Sequence, residues 1–192
     1  GAAIDFTTAW LLEKSLSVDN LFVFALIFGY FQVPREYQHR VLFYGVLGAL
    51  VFRGIFLALG VAIVSTFTAV LFVFGAILIW SAIKLLRDDD ESIDPGKSFA
   101  VRLLRKLIPV SDEYRGTKFF YREAGKLVAT PLLAVVVAIE AADLVFAVDS
   151  VPAVLAVSDN TFIIYSSNAF AILGLRALYF LLAGMLKKFH YL

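Results

Sequence analysis

The stretch VLFYGVLGALVFRGIFLALGVAIVSTFTAVLFVFGAILIWSAI, residues 41–83, contains one charged residue, Arg53, and from Gly54 to Ile83 there is none. About 20 apolar residues at 1.5 Å each cross the hydrocarbon core of a bilayer. Residues 41–83 are therefore long enough for two passes joined by a turn at Ser65 and Thr66. The same rule predicts a first span within residues 6–33, a fourth within 131–157 and a fifth within 161–186. The fold class that follows is all-α: a polytopic transmembrane helix bundle with five spans. A β-barrel is disfavoured, because barrel strands alternate in polarity over segments of about 10 residues whereas these runs are continuously apolar.

Composition agrees. The 192 residues are 61% apolar and 17% charged, where soluble domains run at about 45–50% and a quarter. A soluble domain of this size leaves too much surface wet to hide that much apolar area. There is no cysteine, which excludes disulfides, thiolate metal sites and cysteine nucleophiles in this chain. Residue 1 is Gly, no cleavable leader is recognisable, and the chain reads as a piece of something longer.

The charges give the orientation. Of 17 basic residues, Lys14, Arg53 and Arg176 lie inside predicted spans, and the other 14 all fall in the linker 34–40, the segment 84–130 or the tail after 186. With five spans these three stretches share one face of the membrane, so the positive-inside rule puts them in the cytoplasm. The expected organisation is one transmembrane domain, with a first repeat at 1–86, a cytoplasmic linker at 87–130 and a second repeat at 131–192. In the linker, the acidic run Asp88–Glu91 reads as solvated. After it Phe99, Leu103, Leu104 and Leu107 recur at helical spacing beside Lys97, Arg102, Arg105 and Lys106, as in a short amphipathic helix at an anionic membrane surface. Nothing in this charge distribution points to nucleic acid.

Five acids fall inside predicted spans: Glu13 and Asp19 in the first, Glu140, Asp143 and Asp149 in the fourth. Each costs roughly 3 kcal/mol or more at the bilayer centre, so such residues pair with a counter-ion or line a pathway. Arg53 and Arg176 are the candidate counter-ions, while Lys14 is expected to reach for the outer interface. The two acidic segments align: EKSLSVDNLF from Glu13 lies over DLVFAVDSVP from Asp143, placing Asp19 over Asp149, Asn20 over Ser150 and, downstream, Arg53 over Arg176. Three spans separate the start of one copy from the next, which inverts the second copy and makes the chain part of a 3+3 inverted repeat of the kind that holds a substrate site at the midplane. A sixth helix is then expected after Leu192.

Helical geometry places Glu140 and Asp143 on one face, about 60° apart, whereas Glu13 and Asp19 are about 120° and 9 Å apart. Pro152 frees the carbonyl of Val148 as a further oxygen. Asn20 and Asn168 are candidate amide ligands, or equally amides bridging two membrane helices. The spans hold carboxylates, amides and hydroxyls but no Cys or His, since His39 and His190 fall in cytoplasmic stretches. All-oxygen sites suit Mn²⁺, Ca²⁺ or Mg²⁺ rather than Cu⁺ or Zn²⁺. The candidate metal set is Asp19, Asp149, Asp143, Glu13, Glu140 and Asn20, with Arg53 and Arg176 as counter-ions.

The segments EKSLSVDNLFVF from Glu13, EAADLVFAVDSVPAVLA from Glu140, SSNAFAILGLRALYFLLAG from Ser166 and PVSDEYRGTKFF from Pro109 closely resemble the TerC family of bacterial integral membrane proteins. That resemblance covers nearly the whole chain. It implies manganese export, a history in tellurite resistance, kinship with the lysine-exporter superfamily and residence in the bacterial plasma membrane, with Glu13, Asp19, Glu140, Asp143 and Asp149 as the family's intramembrane acids. The expected partners are a divalent metal ion and the lipid bilayer, with Mn²⁺ as substrate rather than resident cofactor. An enzyme is not expected, because no span carries a Ser-His or His-rich catalytic set. The alternative is a non-transporting scaffold of a tellurite or metal stress-response complex, whose acid and arginine pairs only hold helices together.

Overall fold

The computed structural model describes residues 1–67, 69–87 and 98–189, with the side chains of 19, 71, 81, 82, 84–87 and 185–189 outside that description. The chain is 79% helical. Its elements are α1 (Ala2–Tyr30), α2 (Arg35–Thr66), α3 (Val70–Arg87), α4 (Phe99–Leu107), β1 (Phe120–Glu123), β2 (Lys126–Ala129), α5 (Pro131–Val157), α6 (Thr161–Leu173) and α7 (Leu175–Phe189). The acidic run Asp88–Glu91, Lys97 and His190 lie outside the described residues.

The boundaries follow from local chemistry. Pro34 precedes α2 and Pro131 opens α5, positions where the missing N–H costs nothing. Asn160 caps α6, its side-chain oxygen accepting from the N–H groups of Phe162 (3.0 Å) and Ile163 (3.4 Å). Three helical segments are both long and apolar enough to cross a membrane: Arg35–Thr66, Pro131–Val157 and Thr161–Gly184. The five-span expectation is thus met by length and apolarity at three. Helix α1 has 29 residues but carries Asp5, Glu13, Lys14 and Asp19, and α3 has 18. The last apolar segment is interrupted at Gly174, which separates α6 from α7.

Contacts fix the relative directions of the helices. Gly45 of α2 faces Ile139 of α5, Gly48 faces Glu140, and Gly60 faces Leu155 and Val151, so α2 and α5 run parallel. Helix α1 runs with α6 and α7, since Phe6 meets Phe170 (ring centroids 6.3 Å apart) and Phe28 meets Tyr179 (5.2 Å). Helices α2 and α6–α7 oppose one another: Tyr165 O–H donates to the Gly54 carbonyl at 3.1 Å, Tyr179 O–H to Gln38 at 3.3 Å, and His39 stacks on Phe180.

Two apolar clusters result. One joins Leu21, Phe24, Ile27, Phe28, Leu42, Leu132, Val135 and Leu175; the other joins Ala9, Leu57, Val151, Val154 and Ile164. Between them in the chain order of α1, α2, α5 and α6 lie the buried polar residues Glu13, Asn20, Arg53, Asp143 and Asn168. The outward faces are apolar too, with Phe72 83% and Trp80 73% exposed on α3 and Phe162 78% on α6, as a lipid solvent permits.

The described part of the linker, residues 98–130, holds more regular structure than its sequence announces. Helix α4 forms where its apolar spacing predicts. Val101, rather than the whole leucine stripe, is its buried residue, packed into the cluster that contains Leu132 and Val135 of α5. Strands β1 and β2 form an antiparallel hairpin, Phe120 opposite Ala129 and Glu123 opposite Lys126, around Ala124 (φ 48°) and Gly125 (φ 78°). Two consecutive positive φ values define the tight turn that strand twist favours. Tyr114 ties the linker to the end of α1, its O–H donating to the Phe31 carbonyl at 2.7 Å, and burial pushes the phenol up to about 12.

Two outcomes follow. Replacing Gly60 by Leu drives side-chain atoms into Leu155 and Val151 and should cost about 1–3 kcal/mol by overpacking, whereas Gly54→Ala meets nothing within 4 Å and should be neutral or slightly stabilising; thermal unfolding in detergent measures both. Tyr114 has a folded pKa above its ordinary value near 10. The stability it contributes is intact below about pH 10 and is lost as pH rises toward 12, because only the unfolded chain ionises readily there. Tyr114→Phe should flatten that alkaline loss, read as the pH dependence of the unfolding midpoint.

Candidate metal centre

Glu13 projects from α1, Arg53 from α2 and Asp143 from α5 into the polar layer, where all three are almost fully buried at 0%, 2% and 2% exposure. Arg53 satisfies both acids at once. Its Nη1 donates to Glu13 Oε2 at 2.9 Å, while Nη2 and Nε donate to Asp143 Oδ1 (2.8 Å) and Oδ2 (3.2 Å). The second contact is the two-pronged guanidinium–carboxylate geometry that arginine makes and lysine cannot. Two amides complete the group: Asn168 Nδ2 of α6 donates to Glu13 Oε1 at 2.9 Å, and Asn20 Nδ2 of α1 donates to Asp143 Oδ1 at 3.4 Å. Three helices therefore meet at one arginine, and Asn168 ties α6 to them through Glu13.

One turn from Asp143 on the same face of α5 lies Glu140. Neither of its oxygens has a hydrogen-bond partner among the described residues, and the same holds for Asn20 Oδ1 and Ser150 Oγ. The Glu140 carboxylate rests over Gly48 of α2, where any Cβ would overlap it. With both acids ionised, the Arg53 group carries a net charge of −1 (two carboxylates against one guanidinium), and Glu140 adds acidic capacity beside it. The oxygens left unbonded are hard donors, of the kind that hold Mg²⁺, Ca²⁺ or Mn²⁺. No three described His, Cys, Asp or Glu side chains are gathered closely enough to hold a metal ion, because Arg53 itself fills the space between Glu13 and Asp143.

The structure thus brings together Glu13, Asp143, Arg53 and Asn20 and places Glu140 at their edge. Asp149 is half-buried on α5, Asp19 has its backbone in α1 with its side chain outside the described residues, and Arg176 is exposed on α7 away from the Arg53 group. Lys14 does not reach for the interface. It is half-buried, its Nζ donating to the Ala171 carbonyl at 3.2 Å against Gly174, at the break between α6 and α7. A lysine there meets the negative end of a helix. Sequence reasoning missed the two glycines, Gly48 and Gly174, that make room for Glu140 and Lys14. Their only signal is that each is a glycine in an apolar helical run.

The whole chain, residues 1–192, matches the family described as Integral membrane protein TerC family. It is 46% identical over 189 residues to membrane protein STKORF319 of Myxococcus xanthus, covering 98% of this chain and 59% of that one. It is 46% identical over 192 residues to the chloroplastic thylakoid membrane protein TERC of Arabidopsis thaliana, covering 100% of this chain and 50% of that one. Identity is again 46%, over 187 residues, to a protein of Escherichia coli K12 provisionally named membrane-bound redox modulator Alx, covering 97% and 58%. The chain therefore spans between half and three-fifths of the length of these relatives. No solved structure matches it.

Removing Arg53 alone leaves two buried carboxylates without a cation, a change worth about 3–5 kcal/mol. Arg53→Met should therefore lower the unfolding midpoint in detergent strongly, and combining it with Glu13→Gln and Asp143→Asn should restore most of the loss. A single variant as stable as the parent would show that the ion triad is not what holds α1, α2 and α5 together.

Proposed function

The chain belongs to the TerC family of integral membrane proteins, and from that premise and the Arg53 group we propose that it is the core of a transporter exporting divalent metal cations, with Mn²⁺ as the substrate. One observation carries the reading: acids from two oppositely running helices, Glu13 of α1 and Asp143 of α5, converge on a single monovalent cation. These are the two residues that the alignment of EKSLSVDN with DLVFAVDS superposes. An inverted pair of acidic segments meeting at mid-depth is the site plan of many secondary transporters.

Helix directions support five spans. Helices α2 and α5 run parallel, so the chain must return across the membrane between them. Helix α3, at 18 residues or about 27 Å, is the described helix in that interval long enough to do so. Helix α1 then crosses as the first span despite its charges, of which Glu13 and Asp19 belong to the proposed site. This count keeps residues 87–130 on one side with most of the Lys and Arg, the cytoplasmic side of a bacterial plasma membrane.

In the mechanism, the guanidinium of Arg53 neutralises Glu13 and Asp143 while no substrate is present. A divalent ion arriving from the cytoplasm trades water for carboxylate oxygen and displaces the arginine, since two positive charges satisfy the pair better than one. Asp19 and Asp149 act as central ligands, and Glu140, Asn20 and Asn168 supply further oxygens. Release on the far side follows when the halves rock and Arg53 returns. Arg53 is then a tethered competitor of the substrate. No covalent chemistry is involved, and the chain is not an enzyme. The redox role in the name of Alx belongs to that protein.

The scaffold reading draws on the same geometry, since Arg53 ion-pairs with both Asp143 and Glu13 and so links α1, α2 and α5 whether or not a metal binds. Efflux separates the two. In vesicles loaded with Mn²⁺, Glu13→Gln and Asp143→Asn, and likewise Asp19→Asn and Asp149→Asn, should each slow export by at least about tenfold at unchanged protein level, while Asp5→Asn near the amino terminus should not. Undiminished efflux from the carboxylate variants ends the ligand assignment, and loss of the folded protein without a specific loss of flux favours the scaffold.

A further inference from the structure

Helix α4 carries no acidic residue and splits its apolar residues between two faces. Val101 is fully buried at the root of α5, where Leu132 and Val135 complete the cluster, and Leu104, three residues on and on the same side of the helix, is half-buried. On the other side Phe99 (76% exposed), Leu103 (43%) and Leu107 (73%) stand free at four-residue spacing, which is one stripe of a helix. Arg102, Arg105 and Lys106, all exposed, flank that stripe, and with Phe99 and Leu103 they line a groove of about 610 Å³. Docking through Val101 fixes which face points outward, and it fixes it next to the first turns of α5, where that span enters the bilayer.

We infer that this groove binds anionic phospholipid of the adjoining leaflet: acyl chain against Phe99, Leu103 and Leu107, headgroup phosphate against Arg102, Arg105 and Lys106. Charge complementarity selects the occupant. Three cations rimming an apolar stripe match a lipid that is apolar at one end and negative at the other, and match neither a zwitterionic headgroup nor a purely apolar partner. The sequence pattern alone would have put Leu104 against the lipid; the docked helix turns it inward and leaves a narrower stripe with cations on its flank. The site pins the linker to the membrane independently of whether the chain transports metal.

The absence of cysteine makes the test direct. Leu103→Cys, or Leu107→Cys should the first fail to fold, gives a single thiol for a polarity-sensitive fluorophore on the intact chain. The labelled protein is reconstituted in vesicles of phosphatidylcholine alone and of phosphatidylcholine with phosphatidylglycerol, each with or without acyl-brominated lipid. The expected result is a blue shift and bromine quenching that grow with phosphatidylglycerol, fall with added salt, and drop roughly fivefold in apparent lipid affinity for each of Arg102, Arg105 and Lys106 changed to Gln. Equal signals in the two vesicle types overturn the inference. So does a label shielded from bromine and from aqueous quencher alike, which would mean that protein, either this chain's own segment or a second copy, covers the groove. A matching response to inorganic phosphate in micelles would reassign the cations to a free anion.

Discussion

A charge inside an apolar bundle must be neutralised by something, and here one guanidinium neutralises two carboxylates. Glu13 and Asp143 have no water to turn to at 0% and 2% exposure, so the positions of α1, α2 and α5 relative to one another are set by where Arg53 can reach both. Asn168 takes the Glu13 oxygen the arginine leaves over, and Asn20 shares Asp143 Oδ1 with it. The apolar clusters on either side of this layer give most of the burial, but they are non-directional. The ion triad is the part of the interior that specifies register.

Glycine lets the helices come close enough for that. The parallel seam of α2 and α5 has Gly45, Gly48 and Gly60 at its contact points, the use of small residues expected where helices associate without a hydrophobic drive between them. At Gly48 the missing side chain does more than permit approach: it houses the carboxylate of Glu140. At Gly174 the same device houses the ammonium of Lys14. Both charged groups are adjacent in sequence or one turn away from a member of the Arg53 group, so the polar layer extends along α1 and α5 through pockets carved in their neighbours.

What the sequence makes legible is whatever depends on composition over many residues. Uncharged runs mark the helices, the distribution of Lys and Arg marks one face, and the rarity of intramembrane acids marks five of them, Glu13, Asp19, Glu140, Asp143 and Asp149, without telling which of them share a partner. What depends on one residue or on a partner is not legible. The hairpin rests on two four-residue strands and Gly125, too short for alternation to register. The outward face of α4 is decided by Val101 meeting α5, which no local pattern contains. The alignment of Arg53 with Arg176 predicts two equivalent counter-ions, yet Arg53 joins Glu13 and Asp143 while Arg176 is exposed on α7. Similar segments in the two halves have been put to different uses: the arginine of the first joins the acids, and that of the second faces outward.

That asymmetry bears on what the site can do. If each half kept its own arginine, the acids would be fully neutralised and the interior would have no claim on a divalent ion. With one arginine for Glu13 and Asp143, and with Glu140 unbonded beside them, the layer retains acidic capacity that a monovalent group cannot exhaust. The guanidinium is held at the end of a flexible side chain, and the cost of removing it is large only while nothing replaces it. In the proposed cycle a doubly charged ion that replaces it would remove that cost and sever the link between α1, α2 and α5 that the arginine makes. Occupancy and helix position would then be coupled through a single side chain.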